Sequence, residues 1–415
     1  MERGWLKTSN KKDFLDNYFE EFIKKKPLFK DKNVFQSSYT PDEILHREQQ
    51  VDCIAKILAP CLRLNKPSNL FIYGKTGTGK TVTTLYVTNK ILETAKKNNI
   101  SSLYLLYINC KLKKIADTEY RIIAQLAREL GKEIPITGLP TEEVYKIFFD
   151  TLEEKKGLLI IILDEIDQLI KKTGDEILYN LTRANSELKK SQISIIGISN
   201  NLTFTENLDP RVKSSLSEEE VVFPPYNALQ IQDILRRRAE IGFNKGVIEE
   251  GVIEKCAAYA AREHGDARRA IDLLRVSAEL AEREGSQKVE IRHIDLAEEK
   301  IEREKVLDII VSQPKQFQAT LYSIVLVSKK TNGNIYTGDI YTPYKKICTN
   351  IGIRPLTQRR VSDIIAEFDM LGIVNARVLS KGRYGRTREI TLAIPENLQD
   401  RVEQILEKEL ELKGI

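Results

Sequence analysis

Four short apolar runs punctuate the first half of the chain, and helical stretches lie between them. The first is Leu70-Phe71-Ile72-Tyr73, and the others span residues 103–108, 158–163 and 193–198. Residues 158–163 are apolar throughout, as a strand buried on both faces of a parallel sheet must be. Helices are expected at 82–95 and 117–131. Strands alternating with helices imply βαβ units and a doubly wound parallel sheet. Ahead of the first strand, the pattern from 39 to 64 is helical, with Ile54, Ile57, Leu58 and Leu62 on one face. Residues 1–38 carry scattered lysines and read as an extended or partly ordered lead-in. Phe223-Pro224-Pro225 breaks the alternation. Only helical periods follow, at 227–242, 248–263, 266–284 and 291–309. The pattern therefore predicts an α/β core over 39–225 and an all-α lid over 226–309.

A different pattern occupies 310–397. Val361, Ile364, Ile365, Phe368 and Leu371 recur at helical spacing and leave Gln358, Arg359 and Arg360 on the outer face. Thr357 is a fitting N-cap for that helix. Tyr344, Ile347, Cys348 and Ile351 mark a shorter packing helix, closed by Gly352 and Pro355. Two alternating strands, 373–379 and 388–394, flank the hairpin 380–387, which carries Lys381, Arg383, Tyr384 and Arg386. Helix, helix and basic hairpin read as a winged helix. Arg and Gln at the start of its second helix suit base edges and phosphates in a major groove. The hairpin suits a minor groove or phosphates. A last helix is assigned to 398–415.

Charge sharpens this reading. The chain has 415 residues, 65 of them basic and 60 acidic, for a net charge of +5. Residues 331–395 hold ten Lys/Arg and five Asp/Glu, a surplus as large as that of the whole chain. A polyanion is the expected partner of that end. The apolar runs are too short to span a membrane, and the polar start MERGWLKTSNKKDF is unlike a signal peptide. The five cysteines show no CxxC spacing, and three histidines cannot build a His-rich metal centre. A cytoplasmic, nucleoid-associated protein is expected.

The chemistry begins at Gly74-Lys75-Thr76-Gly77-Thr78-Gly79-Lys80-Thr81, a full GxxxxGK[ST] phosphate loop between a strand and a helix. Its glycines let backbone N–H groups converge on phosphate oxygens, and the helix adds the positive end of its dipole. Lys80 would reach the β- and γ-phosphates, and Thr81 would offer a hydroxyl to Mg²⁺. The strand 158–163 ends in Asp164-Glu165. Asp164 would hold Mg²⁺ directly or through water, and Glu165 would polarise the attacking water. Strand 193–198 leads to Asn200, which could orient that water or contact the γ-phosphate; Asn201 beside it leaves the register open.

These motifs together resemble an AAA+ ATPase, and more closely the archaeal origin-recognition and replication-initiator family. Four stretches carry the closer likeness: Tyr39-Thr40-Pro41 with His46-Arg47-Glu48; Leu208 to Leu216; Phe223-Pro224-Pro225-Tyr226 leading into Arg236-Arg237-Arg238; and Gly265-Asp266-Ala267-Arg268-Arg269-Ala270. The resemblance implies an adenine-contacting segment at the first. It implies an arginine finger at Arg211 acting in trans, with Lys213 as the nearby alternative. It places Tyr226 and Arg238 on the nucleotide pocket and makes Arg268 a lid residue that senses the γ-phosphate. It also implies a DNA-touching insertion within 109–131, with Lys111, Lys113 and Lys114 as candidates. The implied protein binds ATP or ADP with Mg²⁺ and grips origin duplex DNA. It helps load the minichromosome-maintenance replicative helicase, alone or with paralogous initiator subunits. Its hydrolysis would be slow and regulatory, switching the lid. A nucleotide-bound transcription regulator and another DNA-linked AAA+ protein, such as a clamp loader subunit, are the alternative readings.

Overall fold

The computed structural model describes residues 19–20, 23, 25–36, 39–111, 118–135, 138–204, 208–216, 218–331, 335–380 and 386–412. The chain divides into two compact units, residues 1–294 and 295–415.

In the first unit, α1 (Glu48–Leu58) leads to β1 (Asn69–Tyr73), and α2 (Lys80–Lys97) to β2 (Leu103–Asn109). Then come α3 (Glu119–Glu129), α4 (Thr141–Lys155), β3 (Leu158–Asp164), α5 (Ile166–Thr173), α6 (Glu176–Arg183), β4 (Gln192–Ser199), α7 (Pro210–Leu216) and β5 (Glu218–Val222). The five strands are parallel, in the order β2-β3-β4-β1-β5. β1 and β3 are buried along their whole length. One sheet face packs Phe71, Leu159 and Ile161 against Ile122, Phe148 and Leu169 of the helices. The other packs Leu70, Ile160 and Ile162 against Ile54, Leu58 and Val87. Each such side chain contributes about 1.5–3 kcal/mol by leaving water. This two-sided core fixes the strand ends from which the site projects.

Three expectations need correction here. Residues 39–47 are not helical. His46 takes a left-handed φ of 59° and Arg47 stands at the N-cap, so the helix starts at Glu48. The fifth strand, β5, opens with three glutamates and shows no apolar alternation. An edge strand needs only partial burial, and here Val221 is buried while Glu219, Glu220 and Val222 are exposed. Finally, the end of the lead-in is a fitted strap. Leu28, Val34 and Phe35 are buried. The Phe35 ring lies 4.6 Å from that of Phe243, and Lys30 and Asp31 donate their N–H groups to Gly242 O. A Cβ on Gly242 would sit 2.3 Å from the Phe35 ring, so the glycine admits the strap.

The lid comprises α8 (Ala228–Gly242), α9 (Val252–Arg262), α10 (Ala267–Glu284) and the start of α11 (Ile291–Ser312). Asn227 and Gln230 form a capping box that starts α8 sharply after the prolines. Lid residues Ile248 and Val289 form one isolated parallel bridge. Residue 309, the expected lid end, lies inside the continuous helix α11.

The second unit holds α12 (Lys315–Lys330), β6 (Ile335–Tyr336), α13 (Thr337–Asn350), α14 (Gln358–Met370), β7 (Val374–Ser380), β8 (Arg386–Leu392) and α15 (Glu396–Glu409). Its sheet is antiparallel, in the order β6-β8-β7. Val361, Ile364, Ile365 and Phe368 of α14 enter the core. Leu398, Val402 and Leu406 of α15 join the same core, so the last helix belongs to this unit's fold and is not an appendage. Among the described residues, no helix is long and apolar enough to cross a membrane.

Candidate functional site

β1 delivers the chain to the loop 74–79, where Gly77 and Gly79 take φ values of 73° and 92°. Side chains are excluded there by the lid as well as by the backbone. A Cβ on Gly77 would lie 1.7 Å from Asp266 Oδ1, and one on Gly79 would lie 2.7 Å from the Tyr226 hydroxyl oxygen. Lys80 begins α2 and is 6% exposed. Its Nζ donates to Gly74 O at 2.7 Å, Lys75 O at 2.8 Å and Asn200 Oδ1 at 2.8 Å. Burial draws its pKa down to about 8, with Asp164 opposing.

Thr81 Oγ1 donates to Asp164 Oδ2 at 2.9 Å. The Tyr107 hydroxyl donates to the same oxygen at 2.8 Å. Burial and the carboxylate hold Tyr107 well above the usual phenol range. A hydroxyl and a carboxylate side by side are the hard oxygen ligands that Mg²⁺ takes. Glu165 follows at φ 55°, which turns its side chain off the strand line at the N-cap of α5. Lys111 Nζ lies 3.9 Å from Glu165 Oε2. Asn200 accepts from Lys80, whereas Asn201 closes a turn with Ser199 and Thr203.

These groups line a cavity of about 640 Å³ between core, strap and lid. Thr76, Gly77, Gly79, Lys80, Thr81, Asp164, Glu165, Asn200 and Lys111 form the core wall, with Tyr107 beside them. Phe35, Tyr39 and Pro41 come from the strap side, and Tyr226, Arg238 and Arg268 from the lid. Arg238 donates to Val34 O and lies 4.4 Å over the Tyr39 ring. Burial draws its pKa below the usual arginine value, whereas its neighbours Arg236 and Arg237 are exposed. Arg268 is exposed in the first turn of α10, which Asp266 caps. Arg211 stands apart from this cavity. It is exposed and forms a two-pronged pair with its own Asp209, at 3.1 Å on each arm.

In the second unit, Thr357 caps α14, and Gln358, Arg359 and Arg360 are exposed in its first turn. Arg360 is loosely paired, 3.8 Å from Asp363 and 4.0 Å from Glu367. Arg388 of β8 donates to Ser362 Oγ at 3.2 Å, tying the strand to this helix. Lys381, Arg383 and Tyr384 lie outside the described residues, as does the side chain of Arg386; so do Lys113 and Lys114.

Three family models match in succession: the AAA domain over 63–203, the Cdc6 AAA+ ATPase-type lid domain over 232–299, and the CDC6 C-terminal winged helix domain over 308–401. An ORC1-type DNA replication protein of Thermococcus onnurineus is 53% identical over 386 residues, covering 92% of each chain. The chain belongs to the ORC1-type, Cdc6-like family of DNA replication proteins. A second family member, ORC1-type DNA replication protein 1 of Methanosarcina mazei, is 52% identical over 383 residues, covering 92% of this chain and 91% of its own. Among solved structures, the Aeropyrum pernix ORC1 protein in complex with DNA superposes with a TM-score of 0.80 at 43% identity, covering 92% of this chain and 97% of that one. The expected fold, an AAA+ core with parallel sheet, an all-α lid and a winged helix, therefore stands. The clamp-loader alternative loses its basis, because the C-terminal domain matches the CDC6 winged helix domain and the lid matches the Cdc6 lid.

Sequence reasoning missed two residues of this region. Tyr107 passed for an ordinary strand position, though it lies two residues before the end of β2, the strand paired with Asp164's own. Arg47 was visible in the His46-Arg47-Glu48 stretch, but only its burial against the phosphate loop reveals its contacts.

Proposed function

We propose that this protein is an ATP-dependent initiator of DNA replication that binds origin duplex DNA and helps load the replicative helicase. The observation that carries the nucleotide half is the meeting of Lys80, Thr81, Asp164, Asn200 and Arg268 around one core–lid cavity. ATP or ADP would lie with its phosphates on the loop 74–79. Mg²⁺ would be held by Thr81 and Asp164, and would neutralise phosphate charge when bound. Lys80 would turn from the carbonyls of Gly74 and Lys75 to the phosphate oxygens while keeping Asn200 as its guide. Glu165 would take a proton from the attacking water in a slow, regulatory hydrolysis. Arg268 would register the γ-phosphate from the lid, with Tyr226 and Arg238 near the base and ribose. Arg211 would serve a neighbouring paralogous subunit, once released from Asp209.

The DNA half draws on the similar Aeropyrum pernix protein, solved in complex with DNA. Gln358, Arg359 and Arg360 would enter a major groove, Lys381, Arg383, Tyr384 and Arg386 would follow the backbone or minor groove, and Lys111 and Lys113 would add core contacts. The protein would act in the cytoplasm, at the nucleoid. The test is paired binding by the full chain: ADP by calorimetry, and origin duplex by retardation at moderate salt. Binding of both supports the reading; loss of either removes the corresponding half.

A further inference from the structure

Arg47 touches the phosphate loop, yet no role has been given to it so far. It is 2% exposed at the N-cap of α1 and is not among the cavity's lining residues. Its hydrogen bonds run to backbone carbonyls: Nε to Thr78 O at 2.9 Å, Nη1 to His46 O at 3.1 Å and Nη2 to Pro224 O at 2.5 Å. The guanidinium carbon lies 3.7 Å from the centre of the Tyr226 ring and 5.6 Å from that of Phe223. Burial draws its pKa below the usual arginine value, and Tyr226 opposes that shift. Taking a cation out of water is costly, and a hydrophobic residue of similar volume would fill the space as well. What a hydrophobic residue could not do is donate to three carbonyls from three segments.

We propose that Arg47 is a positioning residue: it presets the phosphate loop for nucleotide and couples that loop to the hinge of the lid. The inference rests on the nucleotide reading above. In a trans peptide the C=O and N–H groups point in opposite directions. Arg47 grips the Thr78 carbonyl from behind the loop, so the Gly79 N–H of the same peptide is directed to the opposite side. Gly79 lines the cavity. The Tyr226 hydroxyl closes over Gly79 from the lid side, while the ring of the same tyrosine lies under the guanidinium. Pro224 and Tyr226 belong to the link from β5 to α8, so a lid movement shifts the guanidinium's own partners. Lysine cannot replace this arrangement, because a single ammonium lacks the planar fork and the stacking face.

The test uses the full chain with Arg47→Lys and Arg47→Met. ADP and adenosine binding are measured by calorimetry, and amide exchange over residues 74–81 is measured without nucleotide. Expected ADP affinity falls about 10-fold for Arg47→Lys and about 100-fold for Arg47→Met, as for one or two lost charge-assisted bonds. Adenosine, which lacks phosphates, should bind within about twofold of the native affinity. Exchange should quicken in the loop and stay slow in the sheet. Native ADP affinity in Arg47→Lys overturns the proposal; so does equal loss of ADP and adenosine, which would mark a purely structural arginine. If Arg47→Met fails to fold, Arg47→Lys decides alone. Failure of the native chain to bind ADP brings down the nucleotide reading and this one with it, a result distinct from a change confined to the variants.

Discussion

The phosphate site and the first turn of α14 present their polar groups in opposite ways. Around the loop 74–81 the key side chains are already joined, Lys80 to Asn200, Thr81 and Tyr107 to Asp164, Arg47 to Thr78, and Lys80, Asp164 and Arg47 among them are buried. On α14, Gln358, Arg359 and Arg360 stand exposed, and the ion pairs of Arg360 are long. A small, highly charged ligand rewards a cradle whose donors are fixed before it arrives. A long polyanion rewards density of charge, since each released counterion adds a little and no single contact dominates. Removing one group should therefore be severe in the first region and mild in the second.

The sharpest way to break that contrast is Lys80→Ala. It removes a buried, triply bonded cation, and ADP affinity should fall at least about 100-fold, the equivalent of roughly 3 kcal/mol. Calorimetry on the full chain measures it; a drop smaller than tenfold would mean that the cradle is not preset. The strap offers a stability test of the same contrast. Phe35→Ala should cost about 3–5 kcal/mol in denaturant unfolding, because a fully buried ring leaves a cavity between strap and lid. Arg359→Ala should stay within about 0.5 kcal/mol.

On the DNA side, Arg359→Ala combined with Arg360→Ala should weaken duplex binding about 10-fold and lower the salt slope by roughly 1–2. Anisotropy titrations across a salt series would read both; an unchanged slope would remove these arginines from the phosphate contacts. The pH dependence has the smallest expected effect. Lys80 in the free protein loses its proton near pH 8, because burial lowers its pKa, whereas phosphates favour the charged form. ADP binding should be insensitive to pH below 8 and weaken as pH rises above it, with proton uptake detectable by calorimetry in buffers of different ionisation heat. Proton release in that window would contradict the sign.

What could be read from sequence follows the same division. The phosphate loop, the acidic strand tip and Asn200 are local features, fixed by a few adjacent residues whose types the chemistry dictates. The α14 helix was readable because its apolar face follows one period into one core. The missed features depend on distant partners. β5 has no pattern of its own, since its place at the sheet edge is set by β1. The strap became visible only through the pocket that Gly242 and Phe243 make for Phe35. Arg47 looks like one more charged residue until the loop, the prolines and Tyr226 close around it.

The seating of α15 in the winged-helix core bears on how this half of the molecule is handled at the bench. A fragment trimmed after the β-hairpin would lay bare the apolar bed under Leu398, Val402 and Leu406 and invite clumping. A soluble DNA-binding piece must run through Leu410, also buried there, and any affinity tag at that end needs a spacer to clear it.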